Sequence, residues 1–268
     1  MKITRLGWAG LELEASGATA VIDLLQDAAP MELYMGVPHT PLPGPSRPGA
    51  AVLALVTHLH QDHADPAAIA AALAPGGVLL RPAAAEGEFL EVAATAAAEQ
   101  GLAELGVAQQ VVAPWETAQV GPFRATAIPA VDGFGDPQVS WVVEAAGTRI
   151  LHAGDTLFHG WWWRARMRLG DVDHAFLPVN GPLVSLPHRQ PGSPRPAVMS
   201  AAEAAAAAHV LQAGEAIPIH YDAIHNPPIY AQADDPAGTF LREAAALGVP
   251  ARIVEPGAVV IAGAPTAP

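Results

Sequence analysis

AVLALVTHLHQDHAD, residues 51–65, joins an apolar run of strand length to three histidines and two aspartates. AVLALVT (51–57) has the length and composition of a buried strand. Asp65 suits a helix N-cap and Pro66 the first helical position, so a helix is expected over 66–73. THLHQDHAD (57–65) is then the turn at the carboxyl end of a buried strand, where α/β folds place their sites. In extended chain alternate side chains share a face, which sets His58 and His60 on one side, with Asp62 and His63 just beyond. Imidazole and carboxylate together suit Zn, Mn, Fe or Ni. Histidines solvated on a polar surface are the plain alternative. Four ligand-type residues within positions 58–63, framed by a strand and a capped helix, argue against it.

Working outward, residues 2–6, 11–15 and 19–23 are expected as short strands broken by glycine-bearing turns. A proline-rich loop covers 38–50. After the first helix come a strand near 78–80, a helix over 86–105, and strands at 109–113, 118–121, 123–129, 138–145 and 149–153. A tryptophan-rich helix at 160–169, a strand at 174–178 and a second proline-rich loop at 182–197 follow. A helix at 200–212, a strand at 216–219, a helix at 236–247 and strands at 251–254 and 258–261 complete the chain. No linker divides this pattern, so 1–268 is expected as a single α/β domain. Its two strand-rich halves can each form a sheet with helices over the outer face.

The chain has 268 residues, is 51% hydrophobic and carries a formal charge of −13. An acidic surface repels a phosphate backbone, so no nucleic-acid partner is expected. There are no cysteines, which removes disulfides, thiolate metal sites and cysteine nucleophiles together. MKITRLGWAGLELEAS at the N-terminus suits a strand pair, not a signal peptide, and no apolar run is long enough to span a bilayer. A soluble cytoplasmic protein with a small-molecule substrate is the expectation; whether it forms a homo-oligomer is left open.

H-x-H-x-D-H after an apolar strand resembles the signature of the metallo-β-lactamase superfamily, carried here by His58, His60, Asp62 and His63. HAGDT (152–156) is similar to that family's strand-end aspartate motif, and IPIHYD (217–222) to its late histidine motif. LHAGDTLFHG, AFLPVNG, MSAAEAA and IPIHYD, in this order, resemble the L-ascorbate-6-phosphate lactonase-like metal-dependent hydrolases. The resemblance implies an αββα sandwich of two mixed sheets with helices on the outer faces. It implies two divalent ions (Zn, Mn or Fe) held by His58, His60, Asp62, His63, Asp155 and His220, with Asp155 as the bridge. The reaction it implies is attack of a metal-activated hydroxide on an ester or lactone, Asp62 and Asp155 being the catalytic carboxylates. A phosphodiesterase of the same superfamily, or a scaffold that has lost catalysis, are the rival readings.

Two departures from the subgroup stand out. PAVDG (129–133) puts Asp132 where P-A-x-H-G would supply a histidine, and Gly7-Trp8-Ala9 replaces G-H-A. Asp132 is a candidate metal ligand; if its shorter side chain falls short, a single ion held by Asp62, His63, Asp155 and His220 is expected. With Asp132 as a ligand, the added carboxylate oxygen favours Mn²⁺ or Fe²⁺ over Zn²⁺. Trp8 is expected to fill space beside the site. His159 and Asn180 are candidate substrate-binding residues, and Tyr221 and Asp222 candidate supports for His220. Arg47, Arg189 and Arg195 lie in the proline-rich loops, where each is either solvated or available to an acidic substrate group.

Overall fold

A computed structural model of the chain describes residues 1–261. Its first half contains β1 (Lys2–Gly7), β2 (Gly10–Ala15), β3 (Ala18–Ile22), α1 (Glu32–Met35), β4 (Ala51–Leu55), α2 (Pro66–Ala72), β5 (Leu73–Arg81), α3 (Ala96–Glu104) and β6 (Gln109–Val111). Next come β7 (Thr117–Val120), β8 (Phe123–Pro129), β9 (Val139–Ala145), β10 (Thr148–His152), α4 (Trp161–Leu169) and β11 (His174–Pro178). The last part holds β12 (Leu183–Val184), α5 (Ala201–Leu211), β13 (Glu215–Ile219), β14 (Tyr230–Ala231), α6 (Pro236–Ala246) and β15 (Val259–Ile261). One sheet runs β15-β1-β2-β3-β4-β5-β6 and the other β13-β11-β10-β9-β8-β7. Both are mixed: β3 to β6 and β10, β11 and β13 pair in parallel, and the other neighbours are antiparallel.

Strand alternation explains the layers. In β4, Leu53 and Leu55 face the second sheet and pack with Trp141, Val143 and Phe176. Ala54 and the following Val56 face outward, against Ile69 of α2 and Leu102 of α3. In the second sheet Val142 and Leu151 turn the other way, onto α4, α5 and α6. Each central strand is buried on both faces, and the four layers follow. The alanines of α5 let it pack closely over this sheet, and its start is held by a capping box between Ser200 and Glu203. The expected αββα arrangement is therefore observed.

Three expectations fail locally. The helix expected over 86–105 is confined to Ala96–Glu104, and Gly87 adopts a left-handed φ of 149°. Residues 251–254 form no strand; Ala251 makes an isolated bridge to Ala216. The loop 182–197 carries β12, which pairs with β14. No helix among the described residues is long and apolar enough to cross a membrane.

The sheets are joined where the site lies. Trp141 of β9 is fully buried and its indole N–H donates to the Val56 carbonyl, 2.9 Å away. Beside it the Val139 N–H donates to the Thr57 carbonyl at 2.9 Å. Trp141→Phe would strand the Val56 carbonyl and open space in the core. It is expected to lower folding stability by about 2–4 kcal/mol, measured by denaturant unfolding.

Candidate metal centre

The carboxyl ends of the parallel strands converge on one edge of the sandwich. β3 leads into Asp23, β4 into His58–His63, β10 into Asp155, β11 into Asn180 and β13 into His220. After β4, Leu59 is buried against α2 while His58 and His60 take the opposite side, as the alternation predicts. A turn follows, with the N–H groups of His63 and Ala64 both donating to the His60 carbonyl. Asp65 then caps α2 by accepting from Ala68 N–H at 3.0 Å.

Asp62, His63, Asp155 and His220 are buried, and each offers a ligand atom within 4.8 Å of the others. His63 Nε2 and His220 Nε2 lie 2.9 and 2.8 Å from Asp155 Oδ1. His58, His60 and Asp62 form a second such group, and His60, Asp132 and Asp136 a third. His58 Nε2, His63 Nε2, His220 Nε2 and Asp155 Oδ1 are buried without a well-formed hydrogen bond. Buried polar atoms are rarely left so. His63, His220 and Asp155 share one group with Asp62, and that group fits a divalent cation.

The opposite edge of each ring is fixed. His63 Nδ1 meets Asp23 Oδ2 at 2.8 Å, and that oxygen also accepts from Thr57 Oγ1 at 2.7 Å. Asp23 Oδ1 accepts from the Thr57 N–H, and His58 Nδ1 meets Thr57 Oγ1 at 3.0 Å. His220 Nδ1 meets Asn180 Oδ1, while Asn180 Nδ2 donates to the Tyr230 hydroxyl. These contacts orient each ring so that Nε2 faces the cluster, the arrangement that metal-binding histidines use. Gly154 has φ +66°, and a Cβ there would lie 2.6 Å from Thr57 Oγ1, so glycine lets the Asp155 turn close onto this network.

Trp8 does more than fill space: its indole N–H donates to Asp62 Oδ2 at 3.1 Å, and its ring lies 3.9 Å from that of His220. Trp8, Asp23 and His220 all hold left-handed backbone, with φ of 46°, 45° and 60°. Such conformations cost energy in non-glycine residues and cluster at functional sites.

Burial pushes Asp62 and Asp155 toward neutrality, but the facing imidazoles of His63 and His220 outweigh it and hold both carboxyls well below the usual range. Burial also works against charge on His63 and His220. The carboxylates of Asp155 and Asp62, with Asp23 at His63, overcome it and raise both imidazoles. His58 goes the other way: burial, then His60 and His63, press it well below its ordinary value, leaving the neutral imidazole that ligation requires.

Asp132 stands apart from the four-residue group, beside His60. Its Oδ2 accepts from the N–H groups of Phe134 and Asp136, and burial raises its carboxyl. Asp136 is instead the acid in contact with His60, 2.9 Å from Nε2, and it also accepts from Arg189 at 3.2 Å. Asn180, expected beside substrate, is fully buried behind His220. His159 stacks on Trp162 at 4.2 Å, accepts from Trp161 N–H and is pushed down to about 4 by burial. Tyr221 accepts from Arg5, and Asp222 bonds Gln232, so neither supports His220 as expected. Asp23, Asp136 and the donor role of Trp8 escaped the sequence reading. Asp23 ends an apolar strand, a usable signal; Asp136 and Trp8 had none.

Two outcomes follow. Asp23→Asn sets an amide donor against a donor in either orientation, and Zn²⁺ affinity is expected to fall about 10–100-fold in a chelator competition assay. Because the raised imidazoles of His63 and His220 hold protons that a metal must displace, affinity is expected to decline as pH falls through their raised range. Calorimetry in buffers of different ionisation enthalpy is expected to show about one or more protons released per Zn²⁺ at neutral pH.

No functionally curated protein matches the chain by sequence. Among solved structures, it is similar to the metallo hydrolase Igni18 of the hyperthermophilic archaeon Ignicoccus hospitalis KIN4/I, with 19% identity, TM-score 0.65 and 97% of each chain covered. Isothiocyanate hydrolase from Delia radicum gut bacteria shares 17% identity at TM-score 0.68, with 98% of this chain and 100% of that one covered. CmlA, a diiron β-hydroxylase of Streptomyces venezuelae, shares 16% identity at TM-score 0.74, over 97% of this chain and 53% of that one. At such identities the likeness is one of fold, and these folds carry more than one reaction. Residues 22–221 match the family model of the β-lactamase superfamily domain. That span runs from the end of β3 past His220 and takes in every residue of the buried cluster except Trp8 and Tyr230, and the chain belongs to the β-lactamase superfamily.

Proposed function

We propose that residues 1–268 form one metal-dependent hydrolase domain acting on a small-molecule ester or lactone. The observation that carries this reading is the burial, without a well-formed hydrogen bond, of His63 Nε2, His220 Nε2 and Asp155 Oδ1 within one group with Asp62, beside the group that holds His58. Asp62, His63, Asp155 and His220 would hold one divalent ion. His58 and His60 would hold a second, with Asp132 or Asp136 completing it. Zn, Mn and Fe all suit this set of imidazoles and carboxylates. A divalent ion so held supplies a Lewis acid and lowers the pKa of bound water.

The protein's own groups supply position and proton handling. Asp62 stays ionised between His63 and His220, and the Trp8 N–H fixes one of its oxygens. Its carboxylate orients the attacking water and takes its proton. The water oxygen bonds to the acyl carbon, the acyl–oxygen bond breaks, and the proton held by Asp62 passes to the alkoxide, which departs as alcohol from an ester or stays on the opened chain of a lactone. The buried cluster excludes bulk solvent, which strengthens each of these electrostatic contacts. The order of LHAGDTLFHG, AFLPVNG, MSAAEAA and IPIHYD supports lactonase-like chemistry. The −13 charge supports a small substrate over a polynucleotide.

Protein purified without chelator is expected to carry metal by inductively coupled plasma mass spectrometry. It should hydrolyse members of an ester and lactone panel faster than bis(p-nitrophenyl) phosphate. Chelation should abolish turnover and metal addition restore it, and Asp155→Ala should lower kcat/KM at least 100-fold while reducing bound metal. Faster turnover of the phosphodiester would replace the ester reading. Absence of metal after reconstitution with Zn²⁺, Mn²⁺ or Fe²⁺ would leave a scaffold.

A further inference from the structure

A cleft of about 160 Å³ opens onto His60 and Asp62. Its lining is largely apolar and includes Met31, Tyr34 and Met35 from in and beside α1, with Phe134 and Leu186. Arg189 is the only arginine or lysine in its lining. That guanidinium is already engaged, donating to the Phe134 carbonyl at 2.8 Å and to Asp136 at 3.2 Å, and lying over the Phe134 ring. Of the imidazoles in the lining, His60 already meets Asp136 and His188 is the remaining one, while the overall charge of −13 opposes an incoming anion. The volume is below the ~300–1,000 Å³ of pockets that take drug-sized ligands, so the occupant is short.

From this geometry we infer that the cleft binds the uncharged, apolar acyl chain of the substrate, of about four to six carbons, and rejects phosphorylated or carboxylated analogues. The inference rests on the ester or lactone reading above and narrows it. Burial of each methylene against Met35, Leu186 and Phe134 supplies the discrimination. A charged chain would leave water for walls that are mostly apolar.

Metal-loaded enzyme would be assayed with 4-nitrophenyl acetate, butyrate and hexanoate, and with mono-4-nitrophenyl glutarate set against 4-nitrophenyl pentanoate. After correction for buffer hydrolysis, kcat/KM is expected to rise about threefold per methylene up to hexanoate. The glutarate should react at least tenfold more slowly than the pentanoate. Leu186→Ser and Met35→Ser should each reduce the hexanoate-to-acetate ratio at least threefold, and Leu186→Met should preserve it. A flat or falling series, or a glutarate as fast as the pentanoate, would overturn the inference. Binding of hexanamide, acetamide and glutaramate, followed by ligand-observed NMR, separates the two readings. Preference for hexanamide that Leu186→Ser weakens, without any ester turnover, would sink the ester reading and keep the cleft assignment. Equal binding of all three amides would overturn the cleft assignment whatever the turnover.

Discussion

The buried carboxylate of Asp23 is the contact on which the site depends. A carboxylate with no exposure is costly unless donors surround it. Asp23 receives the Thr57 N–H, the Thr57 hydroxyl and the Nδ1 edge of His63. Those bonds fix the turn after β4 to the end of β3. Thr57 in turn accepts Val139 N–H from the second sheet and has Gly154 packed against its side chain. One carboxylate therefore ties both sheets to both halves of the cluster. Its left-handed backbone is tolerated because these partners over-determine it.

Around this anchor the cluster packs several ionisable groups out of water. Such groups are stable only when charge and hydrogen bonding compensate. Carboxylates pressed down and imidazoles pressed up show how the compensation is divided: Asp62 and Asp155 face His63 and His220. The same atoms are the ones a divalent cation would engage. The fold meets the expense of this arrangement by setting it at strand ends, where backbone donors are free, and by covering both sheet faces with helices. The polar cluster then adjoins an apolar cleft made by different segments.

Much of this was legible in the chain. The apolar run at 51–57 announced a buried strand, and the structure buries it on both faces, Leu53 and Leu55 on one and Ala54 and Val56 on the other. Asp65-Pro66 marked the start of α2 within a residue. The ligand-type residues in THLHQDHAD, HAGDT and IPIHYD lie at strand ends as their motifs implied. The helix expected from 86 begins only at Ala96, and Gly87 takes a conformation no helix accommodates. At Trp8 the residue type suggested bulk, whereas its contribution is one N–H aimed at Asp62.

By itself the sequence determined two strand-rich halves with interspersed helices and the kinds of side chain that succeed the strands. Both follow from local rules: side-chain alternation, helix capping and the residues that succeed each strand. The tertiary structure alone decided which partner each polar atom meets. Trp8 reaches Asp62 across 54 positions, His220 reaches Asn180 across 40, and His60 reaches Asp136 across 76. Such contacts depend on how two sheets stack and twist, to within an ångström, and no local pattern encodes that distance. Hence the cluster could be named from the chain, whereas the acid beside His60, the donor on Asp62 and the apolar walls of the cleft required the fold.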